Sequence, residues 1–369
     1  MGVDIKPLSG LTLSASFSPT FNFYKGKTFK KAIPYYDADD PSKLVGYMSG
    51  YDAKATSLNE IRNDSYKLLA QVVGNYIKSF GDHNINVMVG YEGYKSFNES
   101  LSAGRSQYIL DSFPYLDLGP LDYRTNSGTA SEYAYRSWFG RVMYNYMNRY
   151  LLQANVRIDG SSRFHKDHRW GTFPSFSGGW VISEEPFYKK TAFLSYLKLR
   201  VSWGTLGNER IGDYPYQSTI RFTNIPFISG GKVVSQQAAT PSKFPIKDIS
   251  WETTESWNIG IDAYLFDNRL RVGFDYFYKT TKDMLLALEI PDYVGYEKNP
   301  DKNTGKMHTN GFELEVGWND KIGDWRYSIS ANLSDFKSKM GDLGGTEFLG
   351  DQVKKKGISS ASSISLVVL

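Results

Sequence analysis

The sequence predicts an all-β fold: an antiparallel transmembrane β-barrel, present in part, with about eleven strands of a larger barrel and long extracellular loops. Three observations carry this. Stretch after stretch alternates with a period of two between an apolar and a polar face. The connections between these stretches alternate between tight turns and long loops, the sidedness of an outer-membrane barrel and not of a soluble sandwich. The longest unbroken apolar run, Met284–Leu288, has five residues, whereas a membrane-spanning helix needs about 20.

In chain order, strands are expected near 10–24 and 64–80, the second with apolar residues on both faces. In the next, Ile85, Val87, Val89 and Tyr91 oppose Asn84, Asn86, Met88 and Glu92. A strand near 133–147 precedes one in which Tyr150, Leu152, Ala154, Val156 and Ile158 oppose Leu151, Gln153, Asn155, Arg157 and Asp159. After a strand near 171–183, Leu197, Leu199, Val201 and Trp203 oppose Lys198, Arg200, Ser202 and Gly204. The last four strands lie near 253–266, 269–279, 311–319 and 325–334. In the final three, every position on one face is apolar or aromatic, and Phe277 is the one large apolar residue opposite. Each such strand has two unlike faces, about the length that crosses a bilayer when tilted.

Tight turns join 80 to 84, 147 to 150, 266 to 269 and 319 to 325. The Asp267-Asn268 turn fixes a register. A two-residue loop there pairs Phe266 with Arg269. It then sets Leu265 opposite Leu270, Ala263 opposite Val272, Ile261 opposite Phe274, Ile259 opposite Tyr276 and Trp257 opposite Tyr278. The apolar faces coincide, and a one-residue slip would put every pair on opposite faces. The long connections cover 25–63, 98–131, 207–250 and 286–306, with only 163–169 short. Tyr144, Tyr146 and Tyr150 flank one tight turn and Trp318 and Trp325 another, as in an aromatic girdle at a membrane–water boundary; ordinary cross-strand packing is the alternative.

Composition narrows the function classes. The 369 residues carry a formal charge of +4, no cysteine and four histidines, with 15% aromatics. Absence of cysteine excludes disulfide scaffolds, thiolate metal sites and cysteine nucleophiles. The Lys and Arg residues are scattered, so nucleic acid is not an expected partner. A mean hydropathy of −0.42 does not exclude a barrel, because half of each strand faces a polar lumen. Met1 to Pro7 is no signal peptide, so the chain is either cytoplasmic or lacks its true start.

One region is specific enough to resemble a family. It comprises Asp159-Gly160-Ser161-Ser162-Arg163-Phe164, then Arg169-Trp170-Gly171-Thr172-Phe173-Pro174-Ser175-Phe176-Ser177, then Gly179-Trp180-Val181-Ile182-Ser183-Glu184-Glu185. With Phe139-Gly140-Arg141-Val142, Leu194 to Arg200, Gly207-Asn208, Trp251-Glu252, Asn258-Ile259-Gly260 and Gly311-Phe312-Glu313, it resembles the SusC/RagA-like TonB-dependent outer-membrane transporters across nearly all of 1–345. The resemblance implies a barrel of about 22 strands around an N-terminal plug. It implies import of oligosaccharides or peptides across the outer membrane of a Gram-negative bacterium. It further implies a SusD-like surface lipoprotein capping the barrel and the TonB complex as energy source. Signal peptide, TonB-contacting segment, plug and final strands have no counterpart here, so the chain is expected to be an internal piece: a partial barrel over 1–345 and an atypical tail over 346–369.

Solute contact is expected from loops and upper lumen. Trp170, Phe173, Tyr214, Tyr216, Tyr293 and Tyr296 are the aromatic candidates, since a ring can stack on a sugar or a peptide side chain. Arg157, Asp159 and Arg163 are the polar candidates near the rim. The alternative for each is loop-to-loop packing, and for Asp159 and Arg163 a structural role. His165 and His168 beside Asp167 fall in a short loop and read as solvated, not as a metal site. Glu313 and Glu315 share a strand face and read as lumen carboxylates rather than an acid–base pair. No Ser–His–acid set and no phosphate loop is present. No cofactor and no catalysis are expected. Two other classes remain: a soluble or surface β-rich glycan-binding module, and an outer-membrane enzyme.

Overall fold

The computed structural model describes residues 1–110, 112–287, 293, 299–343, 348–349, 353–354 and 356–368. Its main sheet has thirteen strands: β1 (Gly2–Leu8), β2 (Leu11–Lys30), β3 (Ser57–Phe80), β4 (His83–Ser106), β5 (Arg124–Tyr146), β6 (Tyr150–Ser161), β7 (Trp170–Val181), β8 (Leu194–Asn208), β9 (Glu252–Leu265), β10 (Leu270–Lys282), β11 (Lys306–Ile322), β12 (Trp325–Met340) and β13 (Ser359–Val368). Each is hydrogen-bonded to the next in chain order, and the sheet is not closed on itself; β1 and β13 end the order. The fold is the expected all-β meander. Two strands exceed the sequence count. β1 offers only Val3 and Ile5 before Pro7 interrupts the pattern. β13, inside the stretch set apart as a tail, has a serine-rich start and pairs antiparallel with β12 from Lys339↔Ser359 to Ala331↔Val368.

Strands also run further than hydropathy indicated. β2, β3, β4 and β5 have 20, 24, 24 and 23 residues, against 12 in each of β6 and β7. The loops expected over 25–63 and 98–131 are therefore partly strand. A ladder needs only backbone hydrogen bonds, so it continues where the side-chain alternation that marks a strand in sequence has stopped. The 209–251 connection holds a separate hairpin, Thr219–Ser229 with Lys232–Lys243, and the 283–305 connection a short pair, Leu285–Ala287 with Asp301–Asn303.

The chain divides into two compact units. The first comprises Met1, Ser16–Ala70 and Gly93–Ala134. It has a small interior of its own: Leu58 and Tyr108 are buried, and Phe29 meets the Tyr108 ring edge-on at 5.4 Å. The Lys27 ammonium pairs with Glu60 at 3.4 Å and lies over the Tyr115 ring.

The second unit comprises Gly2–Ala15, Gln71–Glu92 and Tyr135–Leu369. Its β9–β10 hairpin has the register the sequence gives: Leu265↔Leu270, Ala263↔Val272, Ile261↔Phe274, Ile259↔Tyr276 and Trp257↔Tyr278. Asp267 and Asn268 both take positive φ, 56° and 66°, as the two-residue turn demands. Met147 and Asn148 do the same between β5 and β6. Registers of the neighbouring pairs carry the alternation across the sheet. Trp180, Leu199, Ile261, Phe274, Leu314 and Leu333 form one row, and Phe176, Trp203, Trp257 and Tyr278 another. These rows share a face that no layer covers: Val201 is 47% exposed, Ile259 60% and Leu152 56%. A continuous apolar band of this size is foreign to a water-facing surface.

Candidate functional site

The opposite face of the second unit is polar and holds two built clusters. In the first, Arg200 on β8 donates Nε to Asp262 Oδ2 at 2.8 Å and Nη2 to Asp262 Oδ1 at 2.9 Å. It also donates Nη1 and Nη2 to the two Asp275 oxygens at 3.0 and 2.9 Å. Arg200 pairs with Gly260 in register, and Gly260 with Asp275. The guanidinium therefore crosses β9 over a residue without a side chain. A Cβ on Gly260 would stand 2.8 Å from Arg200 Nη2 and 2.5 Å from Asp275 Oδ1.

In the second cluster, Arg157 on β6 donates Nε to Asp159 at 2.7 Å and Nη2 to Ser137 Oγ at 2.8 Å and Glu92 at 3.3 Å. Glu92 also accepts from Tyr135 Oη at 2.8 Å and Gln71 Nε2 at 3.1 Å. In register, Arg157 stands between Phe139 and Phe173, and its guanidinium lies 5.5 Å from the Phe139 ring centre. A concavity of about 610 Å³ gathers Arg157, Asp159 and Phe173 with Phe139, Asn155 and Ser175. Two carboxylates against one guanidinium, flanked by ring faces, can offer stacking surface and hydrogen-bond acceptors to a polar solute.

Beyond the ends of β6, β7 and β8, the loops form an interior of their own. Phe164, fully buried, packs with Ile211 and Ile249, and Ile246, Trp251 and Leu285 surround them. Trp251 lies 5.2 Å from Phe164 and 5.3 Å from Phe173, and its indole N–H donates to the Arg169 carbonyl at 3.0 Å. Phe173 thus serves this packing while its ring covers Gly207. Arg163 donates to Asp213 at 3.2 Å and to the Glu209 carbonyl at 3.2 Å, tying two loops together. Tyr214 and Tyr216 meet edge-on at 6.1 Å, and Tyr216 lies 5.6 Å from His165. Trp170 is exposed on the other face, lying over Gly160. Tyr293 is 89% exposed, and Tyr296 lies outside the described residues. The structure therefore brings Arg157, Asp159 and Phe173 together and leaves Trp170 and Tyr293 apart from them. Sequence reasoning missed Glu92, Ser137 and Phe139, which approach Arg157 from other strands, and the Arg200 cluster.

At the tight-turn end, Glu185 follows β7 and accepts from Trp180 Nε1 at 2.9 Å, with Arg149 at 3.9 Å. A hydrogen bond from Tyr150, then that from Trp180 and the Arg149 charge, hold its carboxyl below the ordinary glutamate range.

Residues 7–356 match the model of the TonB dependent receptor-like β-barrel. The TonB-dependent receptor P3 of Formosa agariphila is 30% identical over 89% of this chain, and SusC of Bacteroides thetaiotaomicron 33% identical over 74%. The RagAB peptide transporter superposes with a TM-score of 0.83 at 24% identity, over 96% of this chain and 38% of that one. The chain spans about a third of the length of the relatives it matches: 33% of P3 and 27% of SusC. An all-β sheet with one apolar and one ionised face, matched along nearly its whole length, places this chain in the TonB-dependent receptor β-barrel family.

Proposed function

We propose that this chain supplies part of the wall and surface loops of a larger outer-membrane barrel that imports oligosaccharides or peptides. The observation that carries the reading is the pairing of faces: an uncovered apolar band on one side of the sheet and the Arg157 and Arg200 clusters on the other. In lipid the first face is satisfied by acyl chains and the second by a polar lumen. In water, as a soluble glycan-binding module, the band would stay uncovered. Family membership and likeness to SusC support a nutrient importer, without catalysis by this chain. The reading includes a SusD-like lipoprotein over the long loops and the TonB complex as energy source, acting through parts of the protein other than these strands. Its site is the Arg157 concavity, with Tyr214, Tyr216, Tyr293, Tyr296 and Arg163 as loop contacts; Trp170, exposed on the opposite face, is left out.

The test is expression of the full-length protein that contains this chain, followed by outer-membrane fractionation, a heat-shift gel and uptake of labelled oligosaccharides and peptides. A heat-shifted outer-membrane band and TonB-dependent uptake are expected. Recovery of the folded protein in the soluble fraction would sink the reading.

A further inference from the structure

On the polar face of β5, β6 and β8 the arginines are provided for unequally. Arg157 and Arg200 each hold two carboxylates, Asp159 and Glu92 for the first and Asp262 and Asp275 for the second. Arg141 on β5 holds none. Its Nε is closed to solvent without a hydrogen-bond acceptor, and no carboxylate stands within ion-pair distance of its guanidinium among the described residues. A donor shut away from water and left unpaired is costly, and native proteins keep few of them.

Register explains why nothing reaches it. Arg141 stands opposite Asn155, Asn155 opposite Ser175, and Ser175 opposite Gly204. The next row toward the tight turns is Met143, Gln153, Ser177 and Ser202. Neither row contains an acid. Gln153 donates to Asn155 Oδ1 at 3.2 Å, and Asn155 donates to Ser175 Oγ at 3.1 Å, so these amides and hydroxyls serve one another and not Arg141. The row toward the long loops holds Phe139, Arg157 and Phe173, about 7 Å along the strands. The acids beyond it, Asp159 and Glu92, are taken by Arg157. Arg141, Asn155, Ser175 and Gly204 all line the concavity of about 610 Å³ that also holds Arg157 and Phe173.

We infer that Arg141 receives a carboxylate borne by the solute, so that this concavity takes acidic oligosaccharides. The inference rests on the import reading and deepens it. A guanidinium presents parallel N–H donors that match a carboxylate bidentately. Beside it, Asn155, Gln153 and Ser175 supply hydrogen bonds for hydroxyl groups, and Phe139 and Phe173 supply ring surface for the apolar side of a sugar. A uronate residue brings all three together: a planar carboxylate, several hydroxyls and an apolar ring face. A neutral sugar would leave the Arg141 charge unmet. An acidic peptide would meet it, but brings one backbone donor and one acceptor per residue against a wall of amides and hydroxyls. The charge of Arg157 is already met within the protein, so the choice of an acidic solute falls to Arg141.

The test uses the full-length protein that contains this chain, as wild type, Arg141→Gln and Arg141→Lys. Uptake by cells and calorimetric binding in mild detergent are measured for oligouronates of several linkages, for their methyl esters of the same length and for an acidic peptide. Esterification removes the charge and little else. Wild type is expected to prefer the oligouronate over its ester. Arg141→Gln should reduce that preference roughly tenfold or more, and Arg141→Lys should keep part of it, retaining the charge without the bidentate fit. The heat-shift midpoint of Arg141→Gln should match wild type, because the side chain gives up no protein partner. Absence of a preference in wild type overturns the inference, as does an equal preference in Arg141→Gln. A lowered midpoint with the preference intact assigns Arg141 to a carboxylate elsewhere in the full-length protein and overturns it too. Loss confined to the acidic peptide overturns the oligosaccharide assignment. Import without discrimination by a protein that reaches the outer membrane defeats this inference alone, whereas absence from the membrane defeats the import reading as well.

Discussion

Gly260 offers a test in which one substitution changes sign with its background. Its backbone is ordinary strand, so alanine there is conformationally favourable, by about 0.5–1 kcal/mol through the unfolded chain. Against this stands the crossing guanidinium. A Cβ would approach Arg200 Nη2 to 2.8 Å and Cζ to 2.9 Å, with Asp275 Oδ1 at 2.5 Å. Arg200 must then withdraw from Asp275, losing bonds of 3.0 and 2.9 Å, while its pair with Asp262 can persist. Arg200 is 32% exposed and Asp275 23%, so water softens the loss, and a charge-assisted bidentate pair at such a site is worth about 1–2 kcal/mol. Gly260→Ala should therefore destabilise the wild type slightly, by roughly 0.5–1 kcal/mol. In Arg200→Met, where nothing charged crosses β9, the same substitution should be neutral or stabilising. The coupling between the two sites is about 1–2 kcal/mol. The assay is the midpoint of the heat-shift transition for the four members of the cycle in the full-length protein. A Gly260→Ala shift of the same sign and size in both backgrounds would refute the crossing argument.

Other outcomes follow from the same geometry. Glu185 has a depressed folded pKa, so its contribution is fully present above the ordinary glutamate value of 4.5 and is lost as pH falls through the folded value. Wild type should lose heat-shift midpoint over that acid range, and Glu185→Gln should lose less; parallel pH profiles would contradict the role of the Tyr150 and Trp180 bonds. Phe164→Ala empties the centre of the loop interior and should cost about 3–5 kcal/mol locally, read as faster proteolysis of the 209–251 connection with the heat shift retained. Phe173→Ala should loosen the same loops, because the ring packs on Trp251 and over Gly207, whereas Trp170→Ala should leave proteolysis unchanged. Asn268→Val places a β-branched residue at φ 66° and should weaken or shift the β9–β10 turn, seen as a lower midpoint than for Asn268→Gly.

The legibility of the fold follows from which forces write themselves into local sequence. The β9–β10 register could be read because the turn and the apolar alternation demand the same pairing, and lipid or core would penalise a slip by a whole face. The outer reaches of β2, β3, β4 and β5 could not, because a ladder between polar residues needs no hydrophobic period. β1 was lost for a related reason, since a short strand with few apolar positions is held by backbone pairing that composition does not report; β13 was lost because its apolar residues follow a serine-rich start without steady alternation.

The candidate site was legible only in part, and the boundary lies at long-range register. Arg157, Asp159 and Phe173 stood out as polar and aromatic residues of the rim and loops, yet nothing near them in sequence indicated that Glu92, 65 residues away, also accepts from Arg157. The Arg200 cluster differs. Once the Asp267-Asn268 turn sets Ile261 opposite Phe274, it also sets Gly260 opposite Asp275 on the polar face. What remained hidden was the alignment of β8 beside β9, which no short turn fixes because 43 residues intervene between Asn208 and Glu252. Glycine supplied an unused clue. Where Gly90, Gly207, Gly260 and Gly311 interrupt strands, a ring or guanidinium from another residue occupies the place of the missing side chain: Phe139, Phe173, Arg200 and Phe277 in turn. A glycine inside a strand weakens it unless something packs there. At these four the glycine marks a large neighbour across the ladder, whereas Gly140, Gly178, Gly273 and Gly317, also within strands, meet no ring or guanidinium, so a strand glycine constrains a register only where a large side chain does fill its place.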